Sequence, residues 1–330
     1  MEIKEVEQEL RKNGALQVHI DNFWRQWILR RFPTARTPRI PVSARPCAEK
    51  FKEVLGKLAE VVEERPTAED GTRLVLKLQD GQLIECVILP RGGVCVSTQV
   101  GCAVGCVFCM TGRSGLIRQL TDLEILAQVE IAKRYQSVKK VVFMGMGEPS
   151  HNLKQVLSAI NFLANYSGIS YKNLVLSTVG DRRLFDAIAT ARVKPALALS
   201  LHSTFDDKRK TLMPNIRPMP VKEIMSFASE YAKIGGYPVQ FQWTLIEGVN
   251  DNEAEVENII ALWKNQKAIL NMIPVNKISD SPYKRPSEEA MLSISERLKK
   301  GHVLLKYRHS AAQEVEGGCG QLRARKLQDE

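Results

Sequence analysis

Three cysteines, Cys102, Cys106 and Cys109, fall within eight residues of one another at the spacing C-x3-C-x2-C. Phe108 stands just before the last, and Cys95 lies seven residues upstream of the first. Such crowding lets three thiolates converge on one inorganic centre without long loop closure. Iron–sulfur clusters are held by cysteine thiolates, usually four around a four-iron cluster. Three ligands leave one iron with an open position that a second molecule can occupy. A structural zinc site instead wants four N or S ligands in a closed tetrahedron. Its fourth ligand is hard to find, because Cys95 lies on the wrong side for a compact knuckle and the next histidine, His151, is far along the chain. Packing of three unligated thiols as small hydrophobes is the remaining reading. The spacing favours the cluster.

Further residues able to do chemistry follow apolar runs. Met144-Gly-Met-Gly147-Glu148-Pro149 is not a dinucleotide fingerprint, since Ser150 stands where a third glycine would be needed. Glycines there let backbone approach a ligand, and Glu148 can accept hydrogen bonds from an ammonium. Ser177, Leu201-His202-Ser203 and Asn276 each close another apolar run. Taken singly they are weak, and a lone histidine is more often structural than functional. Glu85 precedes the cysteines on a strand, where a charged residue is usually solvated. Cys319 lies among Gly317, Gly318 and Gly320, neighbours that suit a mobile loop.

These residues need elements to position them. Arg73–Gln79 and Leu83–Leu89, with Asp80-Gly81 between them, predict a β-hairpin with a two-residue turn, and Asp70-Gly71 marks the turn before it. Strand-like runs then recur at 140–144, 174–178, 196–200, 239–245, 269–273 and 303–308. Helical patterns at 122–134, 153–165, 221–234 and 252–264 alternate with them. Alternating β and α units predict an α/β fold on a parallel sheet, with the site at the C-terminal strand ends. Residues 1–64 read as helices, broken by a loop at 34–42, with a second helix over 47–64. Phe23/Trp27 and Trp24/Ile28 are spaced to share faces of the first. From 13 to 46 six arginines face one acid, Asp21, so that segment carries +5. It predicts either an RNA-tracking surface or an apolar face docked on the main domain with solvated arginines.

C-x3-C-x2-C with its preceding aromatic looks like the signature of radical S-adenosylmethionine (SAM) enzymes. The longer string Gln99-Val-Gly-Cys102 through Cys109-Met-Thr-Gly112, then Arg118-Gln-Leu-Thr121, resembles the RNA adenine methyltransferases of the RlmN/Cfr family. The likeness runs from about residue 70 to 322. It implies a partial (β/α)6 barrel and a [4Fe-4S] cluster on Cys102, Cys106 and Cys109. SAM contacts are implied at Gly147, Glu148, Ser177, Leu201, His202, Ser203 and Asn276. Glu85-Cys-Val-Ile-Leu-Pro90 matches the context of the family's proton acceptor, and Cys319-Gly-Gln-Leu322 matches the motif whose cysteine carries the methyl group. Cys95 would then resolve the intermediate and form a disulfide with Cys319. The implied substrate is ribosomal or transfer RNA, methylated at adenine carbon 2 or 8, with a cytosolic electron donor and a thiol reductant as partners. A radical SAM enzyme acting on a peptide or metabolite would share the cluster but have no need of Cys95 and Cys319. A non-catalytic iron–sulfur RNA-binding module would not need the SAM-contacting strand ends.

Composition agrees with this class. Hydrophobic residues at 44% and charged residues at 25% exclude a disordered or fibrous chain. No apolar run approaches the roughly 20 residues of a membrane helix, and the acidic N-terminus lacks a signal-peptide layout. Seven cysteines, with three clustered, predict reduced thiols in the cytoplasm. A net charge of +10 suits a polyanionic partner. The expected organisation is an N-terminal helical and hairpin accessory region over 1–90, a core over 91–322 ending in the catalytic loop, and a basic tail over 323–330. Departures from the family pattern gather near cofactor and substrate, not at the cluster. They are Ser150, Val179, Ser203, Gly317-Gly318 and the segment 313–316; the N-terminal region is also shorter than usual.

Overall fold

Runs of aliphatic and β-branched residues assemble into one ten-stranded sheet in the computed structural model, which describes all residues except 35–36, 68–70, 217–218, 279–280, 309–319 and 330. Three helices come first: α1 (Ile3–Lys12), α2 (Gln17–Leu29) and α3 (Arg45–Gly56). Strands β1 (Ala59–Thr67), β2 (Gly71–Leu78), β3 (Leu83–Leu89) and β4 (Gly93–Cys95) then pair antiparallel in sequence order. A separate two-stranded ribbon, β5 (Gln99–Gly101) and β6 (Leu116–Gln119), encloses the cysteine loop and the single turn α4 (Met110–Arg113). After α5 (Asp122–Tyr135) the chain alternates: β7 (Lys140–Phe143), α6 (Leu153–Tyr166), β8 (Leu174–Thr178), α7 (Arg182–Thr190), β9 (Ala196–Ser200). It continues through α8 (Asp206–Leu212), α9 (Val221–Gly235), β10 (Val239–Leu245), α10 (Glu253–Trp263) and β11 (Ala268–Pro274). It ends with α11 (Glu288–Lys300), β12 (Leu305–Tyr307) and α12 (Gln321–Asp329). From β4 onward the neighbours β4-β7-β8-β9-β10-β11-β12 run parallel, and β1 and β12 are the free edges. The α/β expectation holds, in the form of an open sheet.

The two faces of this sheet differ. One face carries Val94, Val141, Phe143, Leu174, Leu176, Leu197, Leu199, Phe241 and Trp243, buried against the helices in a continuous core. Strand parity sends Arg73, Glu85, Val87, Cys95, Val142, Val175, Ala196 and Ala198 to the other face. Parallel sheets are ordinarily apolar on both faces. Here the second face mixes a small apolar cluster of valine and alanine with polar residues.

Helix α2 docks by its aromatics. Trp24 is fully buried among Phe23, Trp27 and Phe162, with ring centroids 5.1, 5.8 and 5.2 Å away. Lys133 donates to the Ile28 carbonyl at 2.9 Å, satisfying an orphan acceptor at the end of the helix. Arg25 and Arg31 meanwhile remain exposed. The helices of residues 1–56 share the core of the sheet, and the expected boundary at 90/91 falls between hydrogen-bonded strands β3 and β4. Thr121 and Glu124 close a capping box at the start of α5, and Arg118 grips Glu124 at 2.8 and 2.9 Å and Asp80 at 2.6 Å.

Three local expectations are corrected. The helix expected over 47–64 stops at Gly56, and 59–67 is a strand paired with β2. Glycine weakens the helix there, and Val61-Val62 suit a pleated surface. The hairpin turn is longer than two residues. The Leu78 N–H donates to the Gln82 carbonyl and the Gly81 N–H to the Leu78 carbonyl, leaving 79–81 as the loop with Gly81 at φ +83°. The basic tail is a helix, and its Arg323 is turned inward at 3% exposure, donating through Nε to the Leu83 carbonyl at 2.7 Å. Asp70 lies outside the described residues.

Candidate functional site

The cysteine loop, the strand ends and the segment after β11 enclose a cavity of ≈ 280 Å³. Cys102, Cys106 and Cys109 line it together with Phe108, and Gly147, Glu148, Ser177, His202 and Asn276 form its walls. Eight of the predicted residues are thus brought to one cavity.

Local geometry explains each wall. Gly145 and Gly147 are demanded by protein contact: a Cβ on Gly145 would stand 2.8 Å from Ser97 N and Oγ, and one on Gly147 2.7 Å from the Gln99 side chain. The glycines thereby let the β7 end nest against the loop that leads to Cys102. Gln99 completes the joint by accepting from the Glu148 N–H at 2.8 Å. The Glu148 carboxylate is 4% exposed and held by three donors: Thr178 Oγ1 at 2.5 Å, the Ser150 N–H at 3.1 Å and the Val179 N–H at 3.1 Å. Burial nonetheless pushes its carboxyl above the usual carboxylate range. A cationic group in the cavity would favour the charged form.

His202 is a cavity wall in an unusual backbone state, at φ +56°. Its ring meets Phe108 edge-on at 4.8 Å, and its Nδ1 accepts from the Thr244 N–H at 3.2 Å. That bond leaves Nε2 as the N–H donor. Burial, with Arg209 nearby, drives the imidazole down to about 3, so it is neutral at physiological pH. Arg209 is itself fully buried and donates to the carbonyls of Leu201, Met219, Val179 and Ser200 at 3.0, 2.7, 2.8 and 3.3 Å. It ties the ends of β8 and β9 together.

Two further predicted residues are not part of the cavity lining. Leu201 is buried in the core. Ser203 donates to Glu255, a fully buried carboxylate that also accepts from Thr204 N and Oγ1 at 2.8 and 2.7 Å. This pins the strand-end loop to α10. Thr178, Arg209 and Glu255 were not foreseen; their only signal was a polar residue adjoining a strand end or filling a helix face.

Glu85 and Cys95 lie outside the cavity lining, together on the inner face of the sheet. The Glu85 side chain is 1% exposed and accepts from Arg73 at 2.9 Å, from the Gly320 N–H at 3.0 Å and from the Arg323 N–H at 2.9 Å. Cys95 is paired across β3 with Val87, feels both Arg73 and Glu85, and its packed surroundings push the thiol up to about 12. Cys319 lies outside the described residues. Its neighbour Gly320 has φ +87°, and a Cβ there would stand 2.6 Å from Thr111 Oγ1 and 2.8 Å from Thr111 N. Thr111 follows the last clustered cysteine by two residues.

The donor set suits a thiolate-held cluster. The three thiols line the cavity within electrostatic reach of one another, although among the described residues no three such side chains are gathered as closely as a bound metal ion needs. Burial raises the Cys102 thiol to about 12 and Cys106 well above its usual value. Metal coordination releases such protons. The six cysteines among the described residues are free thiols, and none of the described helices is long and apolar enough to cross a membrane.

Comparison with known proteins agrees with this geometry. Residues 96–259 match the Radical SAM superfamily. A protein of Stutzerimonas stutzeri named "Probable RNA methyltransferase" is 47% identical over 98% of this chain and 97% of its own length. One of Leptothrix cholodnii with the same name is 49% identical over 99% and 95%. A radical SAM methyltransferase from Sphaerobacter thermophilus superposes with a TM-score of 0.85 at 29% identity, covering 97% of each chain. With its cysteine loop, its cavity and its relatives in accord, the chain belongs to the radical SAM methyltransferases, in the family whose members are named probable RNA methyltransferases.

Proposed function

We propose that the protein methylates an adenine ring carbon, C2 or C8, in ribosomal or transfer RNA, with the methyl group carried on Cys319. Amidine-type ring carbons are poor nucleophiles, so direct methyl transfer to them fails. When bound, a [4Fe-4S] cluster and SAM supply a methyl group and the one-electron chemistry that makes its carbon reactive. Cys102, Cys106 and Cys109 hold the cluster. The Gly147-Glu148 corner, with the carboxylate set by Thr178, Ser150 and Val179, receives the SAM ammonium, while Ser177, the neutral His202 and Asn276 bound the rest of the cofactor.

Cys319 accepts the methyl group as a thioether; once that methyl has lost a hydrogen atom to the bound cofactor's one-electron chemistry, Cys319 presents the carbon to the base. Glu85 takes the ring proton. Cys95 then attacks the Cys319 sulfur, releasing the methylated base and leaving a Cys95–Cys319 disulfide for a thiol reductant to reopen. The observation that carries this reading is the Gly320 N–H on the Glu85 carboxylate at 3.0 Å. It links the residue after Cys319 to the strand face that bears Cys95. The need for an electron donor and a thiol reductant is consistent with a reducing, cytoplasmic setting.

The Cys95→Ala protein, produced with iron and reductant, is expected to copurify covalently joined to RNA. Normal turnover by that variant would remove Cys95 from the mechanism. Mass spectrometry of adenosines from cells with and without the protein should show one methyladenosine that depends on it; identical profiles would remove RNA as the substrate.

A further inference from the structure

The inner face of the sheet carries a further row of polar residues that starts at the cavity wall and runs to the edge strand. Strand register aligns Ser200, Gln242, Asn271 and Lys306 in one row across β9 to β12. Gln240 stands two residues before Gln242 on the same face. Arg308 follows Lys306 with the same parity, donating through Nε to Asn271 Oδ1 at 2.9 Å and through an amino group to Gln240 Oε1 at 3.3 Å. Two amides thus fix this guanidinium. From the facing side of the sheet comes Lys140, on the same face as Val142. Its ammonium is lowered first by burial and then by Arg308 and Lys306, which lie within electrostatic reach of it. No carboxylate among the described residues pairs with any of them within 4.0 Å. Gln242 is 7% exposed, and its buried Nε2 has no hydrogen-bond partner.

Neighbouring like charges repel, and an unpartnered buried amide donor is costly to maintain. One anion with several acceptor oxygens relieves both. We infer that Lys140, Lys306 and Arg308, with the Gln242 amide, form a subsite for a phosphodiester of the substrate RNA strand, on the sheet face that also bears Cys95. The inference rests on RNA being the substrate. The subsite holds the backbone of the strand while the target base reaches the Glu85 side of the face. Such a contact positions the strand without reading its sequence.

The test is binding of a fluorescent adenosine-containing RNA hairpin to the full chain across a salt series. Each single-strand phosphate that a cation no longer neutralises lowers the slope of log affinity against log salt by roughly 0.7. Lys140→Met combined with Arg308→Met should therefore weaken binding about tenfold and lower that slope by about 0.7, the share of the one phosphodiester held there. Lys306→Met, at an exposed edge-strand position, should lower it by less than about 0.7, since the other two cations still hold the phosphodiester. Lys264→Met, an exposed lysine elsewhere, serves as the charge control and should leave the slope unchanged. Folded variants with wild-type affinity and slope would overturn the subsite while leaving the RNA reading intact. A fall in SAM affinity as large as that in RNA affinity would also overturn it, since the patch would then hold the cofactor carboxylate. A wild-type protein with no RNA affinity would overturn both readings.

Discussion

His202 owes its charge state to its surroundings. Its imidazole is driven down to about 3 by burial first and by Arg209 second. An unfolded histidine takes up its proton near 6.5, so between those values the unfolded chain binds more protons and stability falls as pH falls. From pH 7 to pH 5 this residue alone should cost about 2 kcal/mol. His202→Asn tolerates the left-handed backbone and removes the titration. Urea midpoints at the two pH values should therefore differ less in the variant than in wild type, and an unchanged difference would assign the slope to other groups. The same scale explains Glu148. Three donors aim a carboxylate whose charge burial disfavours, and Thr178 positions it without lining the cavity.

At the scale of elements, α12 matters more than its short length suggests. Its first turn places the Gly320 and Arg323 amides on Glu85, where unpaired N–H groups favour an anion. Gly320 packs where a Cβ would meet the Thr111 backbone at 2.8 Å, in a conformation unfavourable to other residues. Gly320→Ala should lift this helix from the cysteine loop. Limited proteolysis is expected to cut the variant within 309–329 faster than wild type, and methylation should fall at least tenfold while iron content stays unchanged. Equal proteolysis rates would show that the helix has no such anchor. The loop joining β9 to α8 is held in another way, by Ser203 and Thr204 on the buried Glu255 and by Arg209 on four carbonyls.

For the whole molecule, one core joins the N-terminal helices to the sheet, so they should unfold together. Trp24→Ala empties a fully buried site among three aromatic rings and should cost about 3–5 kcal/mol. Thermal unfolding should stay a single transition at lower temperature; a separate early transition would make the helices an independent unit. Legibility in the sequence followed distance along the chain. Three cysteines within eight residues announce a shared ligand because no fold is needed to bring them together, and period-2 and period-3.6 patterns revealed most βα units for the same local reason. Strand 59–67 escaped because its pairing with β2, not its own propensity, makes it a strand. The Glu85–Gly320 and Ser203–Glu255 contacts span 235 and 52 residues, and the Lys140–Lys306–Arg308 grouping depends on the register of six strands. By itself the sequence determined the reaction class and singled out the three clustered cysteines, because both are written in residue type and short spacing. Tertiary structure alone decided which polar residues face the cavity and which charges meet across the sheet, because strand register and long-range closure have no local signal.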